Sequence, residues 1–464
     1  MENKYQLIVI GGGPAGLAAA IAAKENGLQK VLIIERAPRL GGILHQCVHT
    51  GFGLTYYQEE LTGPEYARRF VERARELGIE HKTSTMVLSI EAGKTVVAVN
   101  DTDGLLRLQT QAVVLAMGCR ERPRGALPIA GTRPAGVFTA GAAQKMINLG
   151  GLHVGNKIVI LGSGDVGMIL ARRLKLEGKE VLALVERQPF VGGLLRNKAQ
   201  CLDDFGIPLL LSHTVTEVLG KHRVEGVAVC PVDEALKPVC SGKKIISCDT
   251  LITSVGLIPE TELARELGLA FDEGTGLLAV NEKCQTSLPW VFACGNLLFV
   301  HDLVDDVTVE SLAVGEAAAR FILRGESGKP LSSGTRQAGQ KNESRLEADE
   351  LVCILCPTGC VIKVCGSVDG YSIENHACEK GEEYARSELE SPARHITSTV
   401  AVNGDPFTRL PVRTSKPVPK EKIMQAMREI RALQVSAPVA YHQALIRGVA
   451  GCDADIIASA EFLG

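Results

Sequence analysis

Tyr5-Gln6-Leu7-Ile8-Val9-Ile10-Gly11-Gly12-Gly13-Pro14-Ala15-Gly16 begins as an apolar run of strand length and ends in G-x-G-x-x-G. Its β-branched residues predict a buried parallel strand. The glycines fall where strand should give way to helix. Gly11 permits the tight turn, Gly13 lets a pyrophosphate approach the backbone, and Gly16 lets helix pack closely on strand. Pro14 suits a first helical turn, where a missing N–H costs little. Leu17 to Lys24 is Ala-rich and reads as helix, Gly27 ends it, and Val31-Leu32-Ile33-Ile34 reads as a second buried strand. That strand runs into Glu35, nineteen residues past Gly16, where a carboxylate can take a ribose 2′-OH. With strand, helix, strand and acid all in place, the stretch predicts a dinucleotide site rather than a structural glycine turn.

The pattern has an echo. Lys157-Ile158-Val159-Ile160-Leu161 leads into Gly162-Ser163-Gly164-Asp165-Val166-Gly167, a helical Met168 to Glu177, and a strand 181–185 ending in Glu186. One offset of 151 residues, Gly11 to Gly162, aligns the glycines, the acid, a proline and a Gly-Gly pair (Gly41-Gly42 with Gly192-Gly193). The chain therefore holds two dinucleotide-binding units of common design. Ala112 to Gly118 and Thr250 to Gly256 read as matching strands that close each half, and Trp290 to Asn296 as a short strand ending at a polar turn. Thr308 to Leu323 reads as a helix with Val309, Leu312, Ala313 and Ala317 at helical spacing.

A chain of 464 residues has room for about three domains. Its net charge of −3, with both signs well mixed, offers no nucleic-acid surface. Without a long apolar run or an export signal, it is expected to have no transmembrane segment and to be cytoplasmic. In a reducing compartment its fourteen cysteines are expected to be core residues, metal ligands or redox groups. Residues 326–350 are polar and Gly/Ser-rich and read as a linker. Beyond it, Cys353-Ile354-Leu355-Cys356-Pro357-Thr358-Gly359-Cys360 is followed by Cys378. Three thiols on one tight loop plus a distant fourth suit a [4Fe–4S] cubane. Zinc more often takes two separated C-x2-C pairs, so zinc and free thiols are the alternatives. Cys365 is the reserve ligand. A helix within 417–433 should bury Ile423, Met427 and Ile430.

Residues 1–325 resemble the flavoprotein family that includes thioredoxin reductase and the pyridine nucleotide–disulfide oxidoreductases. The resemblance implies an α/β fold with two Rossmann-like domains, the NAD domain inserted in the FAD domain, followed by a small α+β four-cysteine domain. It divides the chain into an FAD domain (1–121 and 283–325), an NAD(P) domain (122–282), the linker, and an iron–sulfur domain (351–464). Carried over, Gly11, Gly12, Gly13, Pro14, Ala15, Gly16, Glu35 and Arg36 serve the FAD pyrophosphate and adenosine ribose. Gly41-Gly42 lies beneath the flavin, and Gly118 closes the first half. Gly295-Asn296 stands where the family has Gly-Asp on the ribityl chain; asparagine keeps a hydrogen-bonding group and loses the charge. Gly162, Gly164, Gly167 and Glu186 serve the nicotinamide dinucleotide. Glu186 favours NADH over NADPH because it would repel a 2′-phosphate, though Arg187 adjoins it.

The closer resemblance is to members without a redox dithiol. Gly41-Gly42 is followed by Ile43-Leu44-His45-Gln46-Cys47-Val48-His49, with one cysteine, and 151–250 contains no C-x2-C. A single thiol cannot cycle intramolecularly. Gly41 to Gly53 is similar to flavoprotein subunits that accompany glycerol-3-phosphate or amino-acid (proline, hydroxyproline, opine) dehydrogenases. Cys47 reads as a buried small side chain or a flavin neighbour, and His45 and His49 are open between flavin pocket and packing. Cys353 to Gly381 resembles the N-terminal iron–sulfur segment of molybdopterin oxidoreductases; the match stops there, so no pterin is implied. Residues 351–464 are similar to a small uncharacterised domain that accompanies such flavoproteins.

These resemblances imply an electron-transfer subunit in a hetero-oligomer. Electrons would pass between NADH, FAD and the cluster. The implied partner is a second flavoprotein dehydrogenase subunit, and no side chain is named as catalytic. The linker would let the cluster domain swing or dock. The rivals are an NADH oxidase, a disulfide or persulfide reductase using Cys47, and a C-terminal domain that is only a zinc-held docking module.

Overall fold

The computed structural model describes residues 4–329, 350–367 and 370–463. Most of the expected linker, residues 330–349, lies outside them. Within its described part, Gly328 and Lys329 donate backbone N–H bonds to Gln285 (2.6 Å) and Glu282 (2.8 Å). The chain forms two compact units: Met1–Cys47, Gly51–Arg120 and Leu257–Ala338 make one, and Val48–Thr50, Glu121–Gly256 and Gly339–Gly464 make the other.

In the first unit the apolar opening becomes the strand Lys4–Ile10, and Pro14–Glu25 is helix with Pro14 in the first turn. The helix stops because Asn26 caps it and Gly27 turns left-handed at φ 103°. Strands Glu80–Lys82, Val31–Ile34, Lys4–Ile10 and Gly104–Leu115 lie side by side and parallel, and Val291–Ala293 pairs with the last of these. Thr95–Asn100 and Met86–Glu91 extend the sheet as an antiparallel meander. Both faces of the central strand are covered, which is why Leu7, Ile8, Val9 and Ile10 are all buried instead of alternating.

The helix Val304–Arg324 packs on Pro14–Glu25; of the four residues noted at helical spacing, Leu312 and Ala317 pack against the core and Val309 and Ala313 do not. Val309 is 58% exposed, whereas Ser311, Val314, Gly315, Ala318 and Ala319 are buried. Small residues decide it: a Cβ on Gly315 would stand 2.1 Å from the Ala19 carbonyl oxygen, so only glycine lets the two backbones come so close.

The second unit repeats the parallel core. Its strand order is Val137–Thr139, Thr250–Thr253, Lys157–Leu161, Glu180–Val185, Leu209–Leu210, parallel throughout. The C-terminal residues add an α+β layer. Thr397–Val402 and Asp405–Thr414 centre a five-stranded sheet, against which Ile423–Ala432 buries Ile423, Ala426, Met427 and Ile430. Leu176, from the helix Asp165–Leu176, sits in that same core. Arg172 donates to the His395 carbonyl (2.7 Å), and Arg173 donates to Thr399 Oγ1 (3.2 Å). Arg394 links Asp204 (2.6 Å) to Glu388 (2.6 Å), and Lys420 bonds Asp204 as well (2.6 Å). The C-terminal residues thus pack on the inserted residues through charges and carbonyls that have no local sequence signature.

Candidate functional site

The first glycine turn is shaped by what surrounds each glycine. A Cβ on Gly11 (φ 105°) would lie 2.4 Å from the Ala116 carbonyl oxygen, and one on Gly16 would lie 1.8 Å from that of Gly11. Those two glycines answer to the fold. Gly13 does not: its backbone is ordinary, at φ −76° and ψ −173°, and its Cβ would meet only Gly42 Cα, at 3.9 Å. The space above it at the helix start is empty of protein, which is the room a pyrophosphate needs at a helix N-terminus. Glu35 is buried, with Oε2 accepting from Gly12 N (2.7 Å) and Oε1 from Ala37 N (2.7 Å). A carboxylate has about four acceptor positions, so a pair remains for a ribose diol. Gly41 donates its N–H to Gly12 O (2.8 Å), and a Cβ on Gly42 would meet Gly13 Cα at 2.8 Å, so the Gly-Gly pair lies directly on the turn. The residues fit a dinucleotide.

Gly295 joins this site from far along the chain: a Cβ there would be 2.7 Å from Ala15 Cβ. Its N–H goes to Glu310 (2.8 Å), and Asn296 Oδ1 accepts from His301 N (3.0 Å). Asn296 therefore spends its oxygen on the loop, leaving its amide N–H groups as the polar function. Arg36 is 66% exposed and reaches Glu260 at 3.9 Å. Gly118 is left-handed at φ 69°, and its carbonyl accepts from Glu260 N (3.0 Å).

Three acids and bases of this unit were missed from sequence. Asp305, buried in the first turn of Val304–Arg324, accepts from Gly53 N (3.0 Å), Thr55 N (2.8 Å) and Tyr56 N (3.1 Å), and so fixes the loop after Cys47. Glu310 and His301 clamp the Gly295-Asn296 turn, with His301 Nε2 3.5 Å from Glu310 Oε2. Burial works against a charge on His301, but the Glu310 carboxylate outweighs it and holds the imidazole above its ordinary value. A raised folded-state value gives stability that is complete below the unfolded-state value, about 6.5, and is lost as pH rises through the folded one. Glu310→Gln should therefore cost most in acid, its deficit narrowing as pH rises. Urea unfolding across a pH series measures this, and a deficit independent of pH would contradict it.

Burial pushes the Cys47 thiol up to about 12, so it is neither thiolate nor nucleophile near neutral pH. Burial, then Arg39, lowers His45 to about 4, and its Nε2–H donates to Leu40 O (2.6 Å). His49 is likewise lowered to about 4, chiefly by burial, with Nδ1–H donating to Thr50 O (2.9 Å). Both imidazoles are neutral and tied to backbone, which suits packing.

In the second unit the same offset recurs in hydrogen bonds. Gly12 N to Glu35 becomes Ser163 N to Glu186 Oε2 (2.8 Å), and Ala37 N to Glu35 becomes Gln188 N to Glu186 Oε1 (2.9 Å). Gly11 N to Ile34 O and Gly162 N to Val185 O are both 2.8 Å. Gly162 is held at φ 102°, its Cβ position 2.0 Å from Ser254 O, and a Cβ on Gly167 would meet Gly162 O at 2.7 Å. Gly164, like Gly13, has an ordinary backbone and nothing within 4 Å of its Cβ position. This turn also fits a dinucleotide. Ser163 Oγ adds a third bond to Glu186 (2.7 Å), so that carboxylate is more fully used than Glu35.

The four candidate metal-binding cysteines lie around a small sheet, with Cys353 N donating to Cys360 O (2.9 Å). Burial raises the Cys353 thiol, and the neighbouring Cys356, Cys360 and Cys378 raise it further. Burial opposes ionisation of Cys356 too, yet hydrogen bonds from Thr358 and Gly359 and the Arg196 charge bring it below its ordinary value. Among the described residues no three His, Cys, Asp or Glu side chains stand close enough to hold a metal ion. The donor set itself, four thiols without an oxygen ligand, suits an iron–sulfur centre or zinc.

A family model described as pyridine nucleotide-disulphide oxidoreductase matches residues 5–318. The chain belongs to that family: it is an FAD/NAD(P) oxidoreductase of the thioredoxin reductase-like, two-dinucleotide-domain fold. A second model, described as a protein of unknown function (DUF1667), matches residues 379–460. Cys353, Cys356, Cys360 and Cys378 fall between the two matches. The chain is 28% identical over 316 residues to hydrogen cyanide synthase subunit HcnB of Pseudomonas protegens, covering 62% of this chain and 65% of that protein. It is 27% identical over 285 residues to an opine oxidase subunit of Agrobacterium tumefaciens, covering 58% and 55%. It therefore spans less than two thirds of the length of these two relatives. The crystal structure of T. acidophilum thioredoxin reductase superposes with a TM-score of 0.55 at 22% identity, over 68% of this chain and 98% of that one. Among the described residues no helix is long and apolar enough to cross a membrane.

Proposed function

We propose that the chain is the electron-transfer subunit of a multi-subunit dehydrogenase, exchanging electrons between NADH, FAD and a [4Fe–4S] centre held by Cys353, Cys356, Cys360 and Cys378. FAD belongs at the Gly11–Gly16 turn and NADH at the Gly162–Gly167 turn. The observation that carries this reading is the open space beside Gly13 and Gly164: apart from chain neighbours, no protein atom comes closer than 3.9 Å to the Cβ position of either. FAD held at the Gly11–Gly16 turn would supply two-electron chemistry toward a nicotinamide and one-electron chemistry toward an iron–sulfur centre. The protein's part is to bind and orient. Glu35 offers its remaining acceptor positions to a ribose, and the helix starts at Pro14 and Asp165 offer N–H groups to phosphates.

Glu186 supports NADH over NADPH, since a 2′-phosphate would meet its charge. Arg187, whose Nε donates to Leu236 O (3.1 Å), adjoins it and keeps its positive charge, so the preference rests on the Glu186 carboxylate alone. The neutral Cys47 thiol speaks against a disulfide or persulfide reductase. Both relatives are named as subunits, which supports a partner protein, and the second is named an opine oxidase, which supports a partner that oxidises an opine.

Protein isolated without air should contain one FAD, and iron with acid-labile sulfide, about four of each per chain. NADH should reduce it in preference to NADPH. Zinc in place of iron would make the C-terminal cysteines a docking module, and absence of flavin would end the proposal.

A further inference from the structure

Within the second unit, at the end of the helix Asp165–Leu176 remote from its glycines, the inserted residues and the C-terminal layer line a cavity of about 250 Å³. Its charged lining is mostly cationic. Arg173 comes from that helix, Lys179 from the turn after it, Arg409 from the strand Asp405–Thr414, and Arg431 from the last turn of Ile423–Ala432. Among the described residues that line it, Glu177 is the one carboxylate, 2.9 Å from Arg173 Nη2, and exposed His153 lines it as well. Two left-handed glycines make room for the guanidinium side chains. The Cβ position of Gly151 (φ 61°) is 2.9 Å from Arg409 Cδ, and that of Gly178 (φ 76°) is 3.0 Å from Arg431 Nη1.

Lys179 Nζ donates to Asn156 Oδ1 (3.0 Å), Arg409 Nη2 to Thr399 O (2.8 Å) and Arg431 Nε to Met427 O (3.2 Å), all neutral oxygens. Three positive charges therefore lack a carboxylate among the described residues. The helix C-termini beside them supply only about half a negative charge each. Arg173 is 6% exposed, and its Nε finds no acceptor among the described residues. Burial lowers its guanidinium below the ordinary value; Glu177 opposes this, and the Arg409 charge adds to it. Burial lowers Arg409 as well. Cations gathered in a part-buried cavity cost stability unless an anion joins them. Leu152, Val154 and Leu174 give the same cavity an apolar side, and arginine forks match the oxygens of a phosphoryl group. We propose that this cavity binds a small organic phosphate, the phosphoryl group meeting Arg409, Arg431 and Lys179 and the carbon skeleton meeting the apolar side. Such a ligand bridges the inserted residues and the C-terminal layer and ties one to the other. The helix between this cavity and the Gly162–Gly167 turn is roughly 18 Å long, so the two are separate places. The inference does not depend on what that turn or the cysteines hold.

The probe is 3-phosphoglycerate, compared with glycerate, which lacks the phosphoryl group, and with citrate, a polycarboxylate. Calorimetry on the full-length protein should show 3-phosphoglycerate bind, and at saturation thermal unfolding should move upward by several degrees. Amide hydrogen exchange in residues 405–414 and 423–432 should slow. Citrate should bind about tenfold more weakly and glycerate not measurably. Arg431→Gln and Lys179→Gln alter side chains outside the core, so both variants should fold, and each should weaken binding about tenfold. Saturating ADP-ribose should leave the binding of 3-phosphoglycerate unchanged. Absence of binding, equal binding of citrate, undiminished affinity in both variants, or competition by ADP-ribose would each overturn the proposal.

Discussion

Gly13→Val yields a folded protein that does not hold FAD. The side chain enters space no protein atom occupies, with Gly42 Cα 3.9 Å from its Cβ, at a φ of −76° that valine readily adopts. Its folding cost is that of a poorer N-cap, about 1 kcal/mol. The same isopropyl group fills the pyrophosphate's place and should weaken FAD binding by more than about a hundredfold, roughly 3 kcal/mol. Gly16→Ala is the contrasting case. Its methyl would lie 1.8 Å from Gly11 O, so helix and strand must part, at roughly 3 kcal/mol or more whether or not FAD is present. Flavin content read against urea unfolding separates the two. A yellow Gly13→Val protein of normal affinity would show that the open space holds something else.

Arg394→Met should be the most damaging change in the C-terminal residues. The guanidinium is 4% exposed and bonds both Asp204, 7% exposed, and Glu388, 16% exposed. Without it two buried carboxylates share Lys420 alone, and breaking a buried pair in this way costs about 3–5 kcal/mol. Burial opposes the Glu388 charge, but Arg394 and Lys420 hold its carboxyl below the ordinary value. A depressed carboxylate gives stability that is present above the unfolded-state value and lost as pH falls through the folded one. The wild type should therefore lose its advantage over Arg394→Met in acid. Because Asp204 belongs to the inserted residues, the variant should also be nicked by protease in residues 393–463 well before the rest. Unchanged protease resistance would show that the charge cluster does not hold these residues in place.

Much of the site was legible because the dinucleotide turn is a local device. Strand, glycines, helix and acid fall within a few dozen residues, and the 151-residue echo in sequence returned as an echo in hydrogen bonds. What escaped depends on partners far apart in sequence. Asp305 serves amides some 250 residues away, and Arg394 meets Asp204 at a separation of 190. No periodicity or spacing marks such residues. On Val304–Arg324 the helical spacing marked Leu312 and Ala317, which pack against the core, but not the small buried residues Ser311, Gly315 and Ala318.

The most direct test of two separate cradles is an anaerobic NADH titration of Gly164→Val beside the wild type. Apart from its two chain neighbours, nothing in the protein lies within 4 Å of that Cβ position, so the variant should fold and carry its full FAD. NADH should bleach the flavin of the wild type and leave that of the variant oxidised. Equal bleaching of both would contradict the assignment of the nicotinamide nucleotide to the second turn.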